Sequence, residues 1–182
     1  MSKGDVVSRR VLVTGGVRSG KSAYAERLLA DRADVTYLAT GPVPDPARDP
    51  EWAARVAAHR QRRPPSWRTV ETTDPAPLLG SAAGPVLLDC LGTWLTGCLD
   101  ELTAWERPRA DWFPAWEERA VDFVRAWRRA DAVGVTNEVG WGVIPDHPSG
   151  RLFADLLGRL NQQVAAASDE VVLMVMGRPL RL

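Results

Sequence analysis

Lys21 and Ser22 complete the spacing Gly15-x-x-x-x-Gly20-Lys21-Ser22, which can hold the phosphates of a nucleotide. Glycines let the backbone fold so that successive N–H groups and a helix N-terminus converge on phosphate oxygens. Lys21 would reach the β- and γ-phosphates and the Ser22 hydroxyl would ligate Mg²⁺. In this composition the pattern arises by chance with a probability on the order of one in a thousand. Of 23 basic residues only Lys3 and Lys21 are lysine. A compact ammonium and a planar guanidinium are not interchangeable in a phosphate cradle, which explains a lysine kept here in an arginine-rich chain. The competing reading is a glycine-rich turn that binds nothing.

His59 is the second candidate. Arg55 lies four residues before it, and Arg62 and Arg63 three and four after, so on a helix these side chains share its face. Nearby cations favour the neutral, nucleophilic form of an imidazole, and guanidiniums can hold a triphosphate. A histidine so placed could attack the α-phosphorus of a nucleotide and carry the nucleotidyl group as a phosphoramidate. Spacing alone favours the bland alternative, an exposed histidine on a solvated basic face. Asp89 ends the apolar run Val86–Asp89, where phosphate-loop enzymes keep the acid that holds Mg²⁺ directly or through water. Without the loop it would read as a helix cap. Asp89-Cys-Leu-Gly92 also fits the D-x-x-G of switch GTPases, but the guanine-reading N-K-x-D is absent from the chain. Thr136-Asn-Glu-Val-Gly140 follows an apolar strand and either positions a substrate or closes a turn. Asn161 and Gln162, amid apolar helix positions, suggest a contact with a ligand or a neighbouring subunit.

These groups need a scaffold. The expected strands are Val11–Thr14, Val35–Thr40, Trp67–Glu71, Val86–Asp89, Ala132–Thr136 and Glu170–Met176. Helices are expected over Ser22–Ala30 with Ala25, Leu28 and Leu29 inward, Glu51–Arg63, Leu91–Leu102, Pro114–Ala130 with Trp116, Val121, Val124 and Trp127 inward, and Arg151–Ala167. Gly41–Pro50, with four prolines, is a loop. The alternation predicts an α/β P-loop domain, a mostly parallel sheet flanked by helices, over residues 11–182 behind a flexible tail of residues 1–10. Ligands then belong at the carboxyl ends of the strands. With 182 residues and a formal net charge of +0, the chain suits one domain and lacks the charge for broad attraction to nucleic acid or anionic membrane. Cys90 and Cys98 have no C-x-x-C spacing and read as packed thiols of a reducing compartment. The first ten residues do not form a signal peptide, and no run approaches the ~18 apolar residues of a membrane span. A cytoplasmic protein is expected.

Taken together, the segments Val13–Ser22, Tyr37–Thr40, Arg55–Pro64 with Trp67 and Glu71, Leu88–Trp94, Thr136–Gly140 with Pro145, and Gly158–Gln162 resemble the bifunctional adenosylcobinamide kinase / adenosylcobinamide-phosphate guanylyltransferase family of cobalamin biosynthesis. The resemblance spans nearly the whole chain, and H-R-x-x-R-P-x-x-W and T-N-E-V-G make it specific. It implies a RecA-like fold, a homotrimer and two reactions. ATP or GTP phosphorylates adenosylcobinamide; GTP then transfers GMP to that phosphate through a guanylylated histidine, giving adenosylcobinamide-GDP and pyrophosphate. The family's histidine falls on His59. Its nucleotide contacts fall on Gly15, Gly16, Val17, Arg18, Ser19, Gly20, Lys21 and Ser22, on Ala39, Thr40 and Gly41, on Arg60, Gln61, Arg62 and Arg63, and on Glu71 and Asp89. Ser22 and Asp89 would hold Mg²⁺. The chain departs from the family's pattern in Pro42–Pro50, in Trp52, where a smaller or thioether side chain is usual, and in Trp141. Two other readings remain open: a single-function small-molecule kinase whose His59 is structural, and a nucleotide-dependent switch or assembly protein.

Overall fold

The computed structural model describes residues 9–182. The tail expected over residues 1–10 falls mostly outside them, and Arg10 already belongs to the first strand. In chain order the elements are β1 (Arg10–Gly15), α1 (Lys21–Leu28), β2 (Thr36–Ala39), α2 (Pro50–Arg62), β3 (Arg68–Glu71), α3 (Ala76–Ser81), β4 (Val86–Asp89), α4 (Leu91–Glu101), α5 (Arg109–Trp127), β5 (Ala132–Val135), α6 (Pro148–Ala166), β6 (Glu170–Val175) and β7 (Arg178–Arg181). The sheet order is β3-β2-β4-β5-β1-β6-β7. Every pairing is parallel except β6 with β7. β5 lies between the phosphate-loop strand β1 and the Asp89 strand β4, the RecA-like layout expected.

Strands buried on both faces read as apolar runs, and their alternate residues feed two separate cores. Leu12, Leu38 and Leu88 point into one, with α4, α5 and α6 above them. Val11, Val13, Tyr37 and Leu87 point into the other, with Ala25 and Leu29 of α1. The larger core is aromatic: Trp94 contacts Trp116 and Phe123 at centroid distances of 5.6 and 4.5 Å, and Phe123 stacks on Trp127 at 6.2 Å. Such pairs add roughly 0.5–1.5 kcal/mol each beyond the area they bury.

Several expectations are corrected. Leu28 and Val121, expected inward, are exposed, because each lies at the edge of its helix's apolar stripe. The Pro114 helix starts earlier, at Arg109, with Pro114 inside it; burial of Trp112 holds the added turn. The short helix α3 and the edge strand β7 were not expected. β7 follows a two-residue turn with positive φ at Met176 (50°) and Gly177 (78°), the form that matches strand twist in hairpins. Its Pro179 is tolerated because the strand lies at the sheet edge.

Gly134 shows how tightly the core closes on β5. A Cβ there would lie 2.9 Å from the Trp127 ring, which is itself fully buried. Gly134→Ala is therefore expected to destabilise the protein by about 1–3 kcal/mol, the usual range for overpacking. Urea unfolding checks this: the midpoint should fall with the slope unchanged.

Candidate active site

The loop after β1 needs glycine where the chain turns. Gly15 has φ 151°, and a Cβ on it would lie 2.7 Å from both the Met174 carbonyl oxygen and Ser19 Oγ. Gly20, at φ 93°, is the N-cap of α1, so the first turn of that helix opens onto the loop. Lys21 is buried, and its Nζ donates to the Gly16 carbonyl at 3.0 Å. Burial draws the Lys21 ammonium below the usual lysine range, Cys90 and Asp89 oppose this, and Arg55 adds to it. Two neighbouring segments brace the loop: Glu138 N–H donates to the Gly15 carbonyl at 3.2 Å, and Gly177 N–H to that of Ser19 at 3.0 Å.

Facing the loop is α2. Asp49 caps it through Oδ1, which accepts from Trp52 N–H at 2.9 Å, and Pro50 opens its first turn. The loop and α2 form the walls of a groove of about 610 Å³, lined by residues 17–23 on one side and by Glu51, Ala54, Arg55, Ala58, His59 and Arg62 on the other. That volume is in the range of small-molecule sites. A smaller inner cavity of about 80 Å³ adjoins it, lined among others by Tyr37, Trp52, Arg63, Glu71 and Asp89. Arg55 and His59 line both spaces.

His59 is half-buried, and its setting differs from the guanidinium ring expected. Nδ1 lies 3.3 Å from Asp89 Oδ2 and 3.9 Å from Glu26 Oε1. Arg62 and Arg63 of its face are bound to other groups. Arg62 places Nε and Nη2 on the two Glu26 oxygens at 2.9 and 3.1 Å, and Arg63 lies over the Tyr37 ring at 3.3 Å while donating to Thr69. Arg60 is paired with Glu71 at 2.6 Å. With Gln61 it lines a separate pocket near Pro44 and Pro46, outside both the groove and the inner cavity. Among the described residues Arg55 has no ion-pair partner and is exposed to the groove.

Asp89 collects the buried polar contacts. Tyr37 donates its hydroxyl to Oδ2 at 2.9 Å. Burial opposes ionisation of Asp89, yet the hydrogen bonds from His59, Tyr37 and Ser22 hold its carboxyl below the ordinary value. Burial beside this carboxylate pushes the Tyr37 hydroxyl above its usual range. Ser22 and Asp89 thus adjoin with hard oxygen donors of the kind Mg²⁺ takes. Among the described residues no group of three or more His, Cys, Asp or Glu could hold a metal by itself.

At the end of β2, Ala39 and Gly41 line the inner cavity, whereas Thr40 is buried with its hydroxyl on the Cys90 carbonyl and Thr93 Oγ1. Trp52 covers Gly41, where a Cβ would lie 2.6 Å from its ring, and donates Nε1–H to the Pro42 carbonyl at 2.9 Å. Trp52 thereby ties the proline-rich segment to α2. The Thr136–Gly140 segment closes on itself: Thr136 donates to Asn161 Oδ1 at 2.6 Å, Asn161 to the Asn137 carbonyl at 3.0 Å, and Glu138 accepts from Val139 and Gly140 N–H. Asn161 therefore fastens a loop, while Gln162 is exposed. Tyr37 and Glu26 were missed as site residues, since their role comes from partners far away in sequence. Arg55, singled out by its spacing to His59, does line the groove.

The family model described as "Cobinamide kinase / cobinamide phosphate guanyltransferase" matches residues 11–182. The chain is 42% identical over 177 residues to the bifunctional adenosylcobalamin biosynthesis protein CobU of Escherichia coli (strain K12), covering 92% of this chain and 96% of that protein. It is 36% identical over 180 residues to the bifunctional adenosylcobalamin biosynthesis protein CobP of Pseudomonas aeruginosa, covering 95% and 96%. A solved ATPase from a type III secretion system of pathogenic bacteria superposes with a TM-score of 0.58 at 12% identity, over 91% of this chain and 51% of that one, a likeness of fold. On a match across 172 consecutive residues, with the phosphate loop and His59 facing one groove, this chain belongs to the cobinamide kinase / cobinamide phosphate guanyltransferase family.

Proposed function

We propose that this chain, acting in the cytoplasm as a homotrimer, phosphorylates adenosylcobinamide with ATP or GTP. It then transfers GMP from GTP to the new phosphate through a guanylyl-His59 intermediate, giving adenosylcobinamide-GDP and pyrophosphate. The observation that carries the reading is the groove whose opposite walls are the Lys21 loop and the His59 face of α2. Loop N–H groups and Lys21 bind the β- and γ-phosphates and stabilise charge as it develops on them. Mg²⁺, held by Ser22 and Asp89, would supply Lewis-acid neutralisation of the phosphates when bound. Arg55, exposed between groove and cavity, steadies the triphosphate against the imidazole. Further nucleotide contacts fall on Ala39, Thr40, Gly41 and Glu71, and on Arg60 to Arg63 once those side chains exchange their present partners. No helix among the described residues is long and apolar enough to cross a membrane.

Incubation with GTP and Mg²⁺ followed by intact-protein mass spectrometry is expected to show one acid-labile GMP adduct, absent in His59→Ala. Kinase turnover that persists with no adduct on the wild-type chain would instead mark a single-function kinase. Nucleotide turnover indifferent to added cobinamide would mark a switch or assembly protein.

Arg55→Ala is expected to weaken GTP binding about ten- to a hundredfold, the loss typical of a charge-assisted hydrogen bond. Isothermal titration of the variant with GTP checks this. An affinity equal to wild type would remove Arg55 from the nucleotide site.

A further inference from the structure

We infer that an apolar rim around the phosphate loop, formed by Val17, Trp141, Val143, Ile144 and Met176, is the surface on which the macrocycle of the corrinoid acceptor rests while its hydroxyl arm reaches into the groove. The inference rests on the substrate reading above and adds where that substrate docks.

Twelve large apolar side chains are exposed among the described residues, and these five lie on three loops. Their exposure runs from 70% at Trp141 to 97% at Val143. The loops follow β1, β5 and β6, which are adjacent in the sheet in the order β5-β1-β6 and mutually parallel, so all three open at the same carboxyl edge. The phosphate loop is the middle one, and its neighbours are tied to it. Glu138 N–H donates to the Gly15 carbonyl at 3.2 Å, and Gly177 N–H to that of Ser19 at 3.0 Å. Trp141 is three residues beyond Glu138, within about 11 Å of chain, and Met176 directly precedes Gly177. Apolar side chains scattered singly over a surface are ordinary, but several on neighbouring loops beside a substrate groove mark a contact surface.

The reaction names the occupant. The phosphate loop presents the γ-phosphoryl group, so the acceptor hydroxyl has to be delivered there. In adenosylcobinamide that hydroxyl ends an arm on a wide macrocycle edged with methyl groups and amides. The groove of about 610 Å³ is of a size for one small-molecule ligand, and the inner cavity of about 80 Å³ is far smaller. With a nucleotide in the groove the macrocycle therefore stays at its mouth, and the apolar surface it meets there is this rim. Val17 belongs to both, lining the groove and standing exposed at the loop's tip. Apolar contact is non-directional, and a methionine adapts its shape to what it covers. The ring can then shift on the rim as its arm moves from the γ-phosphate in the first reaction to the α-phosphate in the second. Trp141, which the nucleotide chemistry leaves without a task, supplies the widest face of the rim.

Equilibrium dialysis of adenosylcobinamide against the full-length protein, with a non-hydrolysable ATP analogue and Mg²⁺ present, tests this directly. Because Trp141 and Ile144 are exposed, the double variant Trp141→Ser/Ile144→Ser should fold as wild type does. It is expected to bind the corrinoid about tenfold more weakly. In the kinase assay its KM for the corrinoid should rise by the same factor with kcat unchanged, while half-saturation by GTP and the yield of GMP adduct stay at wild-type values. Val121→Ser, which removes an exposed apolar side chain of α5 outside the rim, should change none of these. Wild-type corrinoid affinity in the double variant overturns the inference, as does an equal loss in Val121→Ser. Sedimentation velocity decides for the other occupant: a double variant that dissociates where the wild-type chain stays assembled would seat a second copy on the rim and overturn the inference too. Tenfold weaker corrinoid binding alongside a wild-type chain that forms no GMP adduct would uphold the rim while sinking the guanylyl-carrier reading, so the two failures are distinct.

Discussion

A carboxylate buried at the carboxyl end of a central strand is the constraint around which this site is built. Asp89 sits nearly buried where β4 ends, in register with Ala39 of β2 and Val135 of β5. An unpaired charge there would cost several kcal/mol, and the carboxyl would then be protonated. Its carboxyl is instead held low by groups from three elements: the Tyr37 hydroxyl of β2 at 2.9 Å, the His59 ring of α2 at 3.3 Å, and Ser22 in the first turn of α1. Because each group comes from a different element, satisfying one buried charge fixes the relative positions of sheet, loop and helix. The functional groups converge because the charge cannot be left alone.

This has a consequence for α2. None of its residues is buried, so it contributes almost nothing to either core. Its attachment is polar and local: Arg62 to Glu26, His59 to Asp89, Arg60 to Glu71, and the Trp52 ring on Gly41. The exposed Arg60–Glu71 pair is worth about 0–1 kcal/mol, whereas Arg62 and His59 meet carboxylates that are nearly buried. A helix held in this way can shift by exchanging partners, without opening a cavity in the core. The same arginines that now bind carboxylates are those a triphosphate would attract, and a bound nucleotide could take them over one at a time.

The sequence was legible where the information is local. Five of the seven strands show as apolar runs, and the phosphate loop is carried by a spacing of glycines whose backbone angles the structure confirms at Gly15 and Gly20. The start of α5 misled because proline usually marks a boundary, yet Pro114 lies inside the helix, with Trp112 and Trp116 buried on either side. β7 was illegible because an edge strand with Pro179 and two arginines has no apolar period. The site shows the same division. Lys21 and Ser22 were readable from their own surroundings, Asp89 only once the loop was in view, and the spacing around His59 alone favoured an exposed histidine on a solvated face. The partners were not: Tyr37 reads as a core residue of a buried strand, Glu26 as a surface acid of α1, and only the fold brings them to Asp89 and Arg62. The expected basic ring around His59 was a correct reading of helix spacing that omitted what lies opposite the helix, namely two carboxylates.

The geometry also bears on how one groove can serve two reactions that break different phosphate bonds. A kinase step moves the γ-phosphoryl group and needs its charge stabilised at the loop. A guanylyl transfer breaks the bond beyond the α-phosphorus and expels the β- and γ-phosphates together as pyrophosphate. On the reading proposed here, the loop grips the β- and γ-phosphates in both cases: it steadies the transferred group in the first and the leaving group in the second. The nucleotide need not be turned round between steps. What changes is the nucleophile, an acceptor hydroxyl at the γ-end or the imidazole at the α-end, and His59 lies on the wall facing the loop. Arg55, lining both groove and inner cavity, is placed to hold the chain of phosphates between these two ends. One binding mode with two sites of attack asks less of a small domain than two separate nucleotide sites would, and on this reading a lysine loop, a nearly buried carboxylate and a histidine gather at a single sheet edge for that purpose.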